Sequence, residues 1–550
     1  MAGVSVTAQE AGVVAAALGL VAVVVALSVW ALRVRPVAAA LLPVVILQVS
    51  YWLPVTGKLR PHVDHIAVYL LLACAIVAVL ALRSRLHGVV TVLLALFGFG
   101  LFAAKHLGAV GAERPAIHQP PIVLLTLDTL RADHLVGFGG DVDTAHTPNL
   151  DAFFKTARVF RHAYAPIALT EPSHTTMLTG LGVEQHKVTV NGQNVPISLP
   201  WVPEELQAAG WYTRAVVSAA VLDGSLGLAR GFDSYDSTFD HRYARAFAFL
   251  NWGGVLSHAG TAENRAGAAT LALITSFPAG SFTWIHLYDA HWPYAPSAAA
   301  GAAIGLEDVT PLPETGIGRQ MNPSDTKWPE AEVERGKLLY RASLQDLDAL
   351  VRMVLERIPP EASVIIAGDH GESLDEHGYV FSHGRLPFAP DVHTVLAVRA
   401  PDLAPEWVDT PVSLQAIAPT LRALAGLDQP SGEVPSYRGL LGPIPSAPVL
   451  TVAYAEGFFG AQKEHPLGPI AGVAIRLPAR TIAWTRWAEP AGYSPSADPR
   501  DRAPMPIEPD EQARLEGAAM SAGHSASPDP EMTSALEALG YLERTEPPDR

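Results

Sequence analysis

Ile122-Val-Leu-Leu-Thr-Leu-Asp128 and Ala362-Ser-Val-Ile-Ile-Ala-Gly-Asp-His370 decide the fold. In each, a short, largely apolar and partly β-branched run shows no polar alternation, the pattern of a strand buried on both faces. A third run, Phe282-Thr-Trp-Ile-His-Leu287, leads into Tyr288-Asp-Ala-His291. Between the strands lie helical stretches such as Glu330–Arg357, where Leu338, Leu339, Leu344, Leu347 and Leu350 recur at helical spacing. Strands alternating with helices predict an α/β domain, a mostly parallel sheet with helices on both faces. Such sheets bind ligands at the carboxyl ends of their strands, and all three runs end there in carboxylate or imidazole side chains.

Outward from this core, Gly111–Pro121 is rich in Pro, Gly and polar residues and reads as a linker. Residues 122–425 read as the catalytic domain, and 426–550 as a C-terminal subdomain with an acidic, Pro-rich tail. Ser494–Pro530 is expected to be an irregular surface segment. Four apolar runs, at about 11–32, 37–53, 66–82 and 88–104, fill the N-terminus. Each approaches the ~20 residues a helix needs to cross a bilayer, and a signal peptide accounts for only one of them. Residues 1–110 are therefore expected to form an N-terminal transmembrane helical bundle. Arg33, Arg35, Arg83 and Arg85 place two of its loops in the cytoplasm and the large domain outside, in the manner of a bacterial cell-membrane protein.

Charge divides the 550-residue chain in the same way. Its net charge is −16, yet residues 1–110 hold seven basic residues against two acidic ones. An acidic large domain argues against a nucleic-acid partner. The single cysteine, Cys74, excludes a disulfide framework and a Cys-based zinc finger. The spans carry too few ionisable residues for a transporter pathway.

Asp128, Asp369 and His370 offer oxygen and nitrogen donors suited to a divalent ion; helix capping is the plain alternative for the two aspartates. In Leu169-Thr-Glu-Pro-Ser-His174, Pro172 suits a first helical turn, which places Thr170 just before a helix N-terminus, where an anion is favoured. Asp289 and His291 are candidates to join His383 around a second ion, although one ion is the simpler expectation. Arg131 and Asp133 read as an ion pair shaping the first loop, Trp292 and Tyr294 as pocket wall, and Glu372 and Asp375 as residues that cap or orient their neighbours.

These motifs, in this order, resemble the sulfatase branch of the alkaline-phosphatase superfamily. The resemblance rests on Val123–His134, Thr147-Pro-Asn-Leu-Asp151, Thr170–His174 with Leu178-Thr-Gly180, Gly231–Asp236, His286–Tyr294, Gly368–Gly378 and Ala535–Leu542. It implies a sulfatase-like fold in which Asp128, Asp369, His370 and the Thr170 oxygen bind a divalent metal ion (Zn, Mn, Ca or Mg). It implies Thr170 as nucleophile, His291 and His383 as catalytic residues touching the transferred group, and Asn191 as an oxyanion-binding residue. Sulfatases that use formylglycine carry Cys/Ser-x-Pro-x-Arg, paired acidic residues after the first strand, Asp-Asn at the later metal site, and a Lys-x-His segment. This chain has Thr170 and His174, Asp128-Thr129, Asp369-His370 and Val217-Ser-Ala219. Threonine does not yield formylglycine, so the departures point to a threonine phosphotransfer mechanism.

The expected function is a membrane-anchored, metal-dependent hydrolase of phosphate or sulfate esters acting on an anionic ester substrate, such as an envelope lipid or glycan. An envelope phosphoglycerol- or phosphoethanolamine-type transferase and a catalytically silent membrane scaffold are the alternatives.

Overall fold

Strand β1 (Ile122–Leu127) lies inside an eight-stranded sheet, flanked on both sides by parallel partners. The computed structural model describes residues 117–138, 145–237, 267–312, 328–429, 439–454, 470–485 and 488–522. The expected transmembrane bundle at 1–110 and most of the linker lie outside these residues; among the described residues, no helix is long and apolar enough to cross a membrane.

The remaining strands of this sheet are β2 (Arg158–Phe160), β3 (Tyr212–Val216), β4 (Ser234–Asp236), β5 (Ser281–Leu287), β6 (Ser363–Gly368), β7 (Leu396–Arg399) and β8 (Glu406–Val408). Their spatial order is β8-β2-β7-β6-β1-β5-β3-β4. Only β7 runs against the others in this sheet. The unalternating apolar runs thus form the parallel centre, buried on both sides.

Side-chain alternation divides the core by face. Ile122, Leu124, Phe282, Trp284 and Ile365 pack with α2 (Thr170–Thr179), α3 (Val202–Ala208) and α5 (Ile417–Leu424). Val123, Leu125, Ile285, Val364 and Ile366 pack with α1 (Pro148–Phe154) and α4 (Glu330–Leu355). Burying each such side chain contributes about 1.5–3 kcal/mol. Helix α4 follows from its leucine spacing: Leu339, Leu344, Leu347 and Leu350 are buried on the face turned to the sheet.

Beyond α5, the chain forms an antiparallel sheet of β9 (Val449–Tyr454), β10 (Ile470–Arg476), β11 (Thr481–Thr485) and β12 (Ala488–Tyr493). The expectation of an irregular 494–530 segment is corrected here, because α6 (Pro509–Ala522) lies within it. Leu515, Ala519 and Ala522 form its buried stripe against the C-terminal sheet. That stripe is narrow and mostly alanine, so little hydrophobic periodicity marked it in an acidic segment.

One buried guanidinium ties three segments around the functional edge. Arg131 makes paired hydrogen bonds to Asp133 (2.9 and 2.8 Å) and to Glu376 (3.1 and 2.9 Å), and donates to the Glu372 carbonyl at 2.9 Å. Arg500 Nε reaches the same Asp133 carboxylate at 2.8 Å. The expected Arg131–Asp133 ion pair is therefore one part of a larger knot. Burial alone raises the Glu376 carboxyl, but Arg131 outweighs it and holds it down at about 2. Glu376 therefore contributes stability above its ordinary pKa of 4.5, and loses that contribution as pH falls through about 2. Glu376→Gln is expected to cost about 3 kcal/mol at neutral pH, with the gap to the parent closing between those two pH values. Urea unfolding followed by tryptophan fluorescence measures this; a gap independent of pH would refute the role.

Candidate functional site

The registers of β1 with β5 and β6 make their carboxyl ends flush: Leu127 lies opposite Leu287 and Gly368. Asp128 and Asp369 therefore emerge side by side. Asp128 N donates to the Leu287 carbonyl at 2.9 Å, and Asp369 N to the Leu127 carbonyl at 3.3 Å. The chain then turns sharply, with Thr129 at φ 51°, a left-handed conformation costly for a β-branched residue. Thr129 N donates to Asp369 Oδ1 (3.2 Å), and the Tyr340 hydroxyl donates to the Thr129 carbonyl (2.8 Å), which hold the turn.

Three potential ligands converge here. Asp128, Asp369 and His370 are fully buried and bring one ligand atom each within 4.8 Å of one another. His370 Nδ1 donates to the Gly371 carbonyl at 2.8 Å, so the lone pair of the neutral ring is on Nε2. That Nε2 is 3.9 Å from Asp128 Oδ1, 3.7 Å from Asp369 Oδ2 and 3.3 Å from Thr170 Oγ1. Both Asp128 oxygens and Asp369 Oδ2 are buried without a hydrogen-bond partner. Burial raises the pKa of both carboxyls, and Asp128 raises that of Asp369 further. Burial lowers the His370 pKa, but the two carboxylates outweigh it and the net shift is upward. Unpaired buried carboxylate oxygens facing an imidazole lone pair fit a divalent cation, which removes a desolvation cost of several kcal/mol.

Thr170 completes the cluster as the first residue of α2, one position further into the helix than expected, with Leu169 as the cap. Pro172 is tolerated because N–H groups of a first turn have no helical acceptor. All ten residues of α2 are buried, although most are polar. Ser173 Oγ donates to the Asp369 carbonyl (2.7 Å), and Thr175 Oγ1 to the Glu171 carbonyl (2.9 Å). His174 Nδ1 donates to the Thr170 carbonyl (2.7 Å), and its Nε2 accepts from Thr126 Oγ1 (3.0 Å). Gly180, at φ 78°, ends the helix in the left-handed conformation.

Around this centre stand the other expected residues. His291 Nδ1 donates to the Trp292 carbonyl and contacts the Tyr288 hydroxyl at 2.7 Å. His383 Nδ1 donates to Glu372 Oε1 at 3.2 Å, and its ring centroid is 4.4 Å from that of His370 and 5.0 Å from that of His291. Burial lowers the pKa of both histidines, that of His383 strongly. Asn191 Oδ1 accepts the Glu171 N–H at 3.0 Å, so only its amide NH2 is left to face a ligand. Tyr294 and Trp292 are buried, and the Tyr294 hydroxyl donates to Glu372.

The second-ion expectation is not assembled as expected. Asp289 spends both oxygens on the Gly267 N–H (3.1 and 3.0 Å), and no cluster of potential ligands among the described residues contains it. A different trio, His174, His286 and Asp369, does converge, but both His174 nitrogens are already committed. His377 stacks on Phe388, away from the centre. His286 and Glu171 were not singled out as site residues. His286 is a histidine inside an apolar strand, a signal that the strand pattern overshadowed; Glu171 is a buried carboxyl that nothing local in the sequence marks.

The chain is similar to known proteins. The profile of the Sulfatase family matches residues 120–427. A choline-sulfatase of Rhizobium meliloti (strain 1021) is 24% identical over 360 residues, 56% of this chain and 68% of the relative. A solved structure in complex with its substrate D-glucosamine-2-N,6-O-disulfate superposes with TM-score 0.53 at 16% identity, covering 73% of this chain and 97% of that one. The phosphonate monoester hydrolase of Agrobacterium radiobacter gives TM-score 0.53 at 15% identity, covering 73% and 94%.

The carboxylate pair yields a prediction about the metal-free protein. Asp128→Asn removes a buried charge facing Asp369 and is expected to stabilise the chelator-treated protein by about 1–3 kcal/mol, while abolishing stabilisation by added Mn²⁺. Thermal melts with EDTA and with Mn²⁺ check both halves. If the variant melts lower in EDTA and still gains from Mn²⁺, these oxygens are not an ion site.

Proposed function

The chain belongs to the sulfatase family, and from that premise we propose a metal-dependent hydrolase that cleaves anionic phosphate- or sulfate-type esters through Thr170. The observation that carries this reading is the convergence of unpaired buried oxygens, one each from Asp128 and Asp369, with the His370 Nε2 lone pair beside the Thr170 hydroxyl. Asp128, Asp369, His370 and Thr170 would hold one divalent ion. When bound, that ion neutralises the ester oxygens and acidifies the hydroxyl beside it. A mixed carboxylate–imidazole donor set suits Zn²⁺ or Mn²⁺ better than Ca²⁺ or Mg²⁺.

The chain's own groups supply the rest. In the first step, Thr170 Oγ1 forms a bond to the phosphorus or sulfur and the ester bond breaks. The hydroxyl proton passes to neutral His383 and from there to the leaving oxygen. In the second step, water attacks the threonine ester, gives a proton to the same ring, and the proton returns to Thr170 as the sulfate, phosphate or phosphonate product leaves with any substituent it still carries. Glu372 holds the His383 tautomer, while the amide NH2 of Asn191 receives an equatorial oxygen. His291 stands beside His383 as a second contact to the transferred group.

The substrates of similar proteins set the panel: sulfate esters for the choline-sulfatase and the disulfate-bound enzyme, phosphonate monoesters for the hydrolase from Agrobacterium. Purified full-length protein loaded with Mn²⁺ or Zn²⁺ is to be given an aryl sulfate, a phenylphosphonate monoester, a bis-aryl phosphodiester and an aryl phosphate. Turnover of at least one ester is expected, with kcat falling at least 10³-fold in Thr170→Ala and about 10²–10⁴-fold in His383→Ala. Undiminished turnover in Thr170→Ala would remove the threonine from the mechanism.

We further propose that residues 1–110 anchor the enzyme in a membrane, with the catalytic domain on the extracytoplasmic side. Four apolar runs and the Arg33, Arg35, Arg83 and Arg85 loops support this. The chain should stay with membranes washed in alkaline carbonate and be cut by protease added outside spheroplasts. Release by the wash would refute the anchor.

A further inference from the structure

We infer that His286 is a positioning residue for the ion-binding carboxylate: its ring donates Nε2–H to Asp128 Oδ2 and so turns Oδ1 toward the ion. The inference rests on the metal reading above and assigns a role to a residue outside the ligand set.

His286 lies on β5 opposite Thr126, on the face that also carries Phe282 and Trp284 and that packs against α2. A polar layer sits there beneath the nucleophile. Trp284 Nε1 donates to Thr126 Oγ1 at 3.0 Å, and that hydroxyl also meets His174 Nε2. His286 shares in none of these bonds. Its ring is fully buried, and both nitrogens lack a hydrogen-bond partner. A neutral imidazole must keep one N–H, and leaving that donor buried and unpaired costs about 1–3 kcal/mol.

The nearby carboxylate resolves this. His286 Nε2 is 3.4 Å from Asp128 Oδ2, whereas the other oxygen, Oδ1, is the one beside His370 Nε2. Asp128 thus presents one oxygen to each imidazole. One faces the ligand cluster and the other faces a proton donor below it. Drawing Oδ2 onto Nε2–H fixes the carboxylate plane and commits Oδ1 to the ion. The competing role, His286 as a direct ligand in a cluster with His174 and Asp369, requires His174 to abandon the Thr170 carbonyl or the Thr126 hydroxyl.

The test titrates Mn²⁺ into full-length, chelator-stripped protein, following free Mn²⁺ by electron paramagnetic resonance. His286→Leu, which removes the donor, should weaken Mn²⁺ binding by about 10–100-fold, and His286→Gln, which restores an N–H near the Nε2 position, should recover most of it. Spin-echo modulation of bound Mn²⁺ in the parent should show one coordinated imidazole nitrogen, that of His370. Two coordinated imidazoles would overturn the inference in favour of direct ligation, and this arm needs no variant to fold. Unchanged Mn²⁺ affinity in His286→Leu would overturn it while leaving the metal site intact. A parent that binds no Mn²⁺, Zn²⁺ or Mg²⁺ would overturn both.

Discussion

Two buried carboxylates, with three of their four oxygens lacking a hydrogen-bond partner, occupy the end of the central sheet. Asp128 and Asp369 arrive there because β1 and β6 are parallel neighbours in register, so the geometry that stabilises the core also forces negative charge together. The conflict is local and is not relieved by solvent, since both residues are fully buried. Natural folds leave few such atoms unpaired, and a concentrated exception marks a candidate binding place. His370 follows Asp369 directly, and its Nδ1–H is anchored on a backbone carbonyl. Its lone pair is therefore supplied at the same point without a separate element.

The rest of the domain holds this strained edge in shape. Helix α2 has almost no apolar face of its own, and its polar side chains are tied to its own backbone, to the Asp369 carbonyl and to Thr126. Its position thus depends on the sheet edge it serves. On the opposite side, Arg131 joins the loop after β1 to the loop after β6 by bonds to Asp133, Glu376 and the Glu372 carbonyl. That last bond matters to the chemistry, because Glu372 orients His383. One fully paired cation, four residues beyond the end of the first strand, therefore supports the segment that holds His383.

What was legible in the sequence was whatever a short contiguous stretch could encode. The three central strands, the long leucine helix, Asp128, Thr170 and the Asp369-His370 pair each carry their own local signature, and the structure brings those residues together. Relations between distant stretches were not legible. The pairing of Glu372 with His383 and Tyr294, the clasp between Asn191 and Glu171, and the seat of His286 beneath Asp128 are all set by tertiary register. The C-terminal sheet escaped for another reason: Ile470-Ala-Gly-Val-Ala-Ile-Arg476 is rich in small residues and has little strand character until it is paired. The alanine stripe of α6 was hidden in the same way.

The charge inventory of the site bears on which ester it prefers. The formylglycine sulfatase pattern places a guanidinium four residues after the nucleophile and a lysine in a later segment. Here those places hold His174 and Val217-Ser-Ala219. His174 does not replace the lost charge: burial pushes its pKa down to about 3, so the ring is neutral while it holds the Thr170 carbonyl. His383 and His291 are likewise shifted toward the neutral form. None of these three histidines then supplies fixed positive charge. In a buried site each unmatched negative charge is expensive, and a phosphate monoester brings two where a sulfate ester, a phosphodiester or a phosphonate monoester brings one. On the mechanism proposed above, the absence of these two basic side chains therefore argues for singly charged esters as substrates.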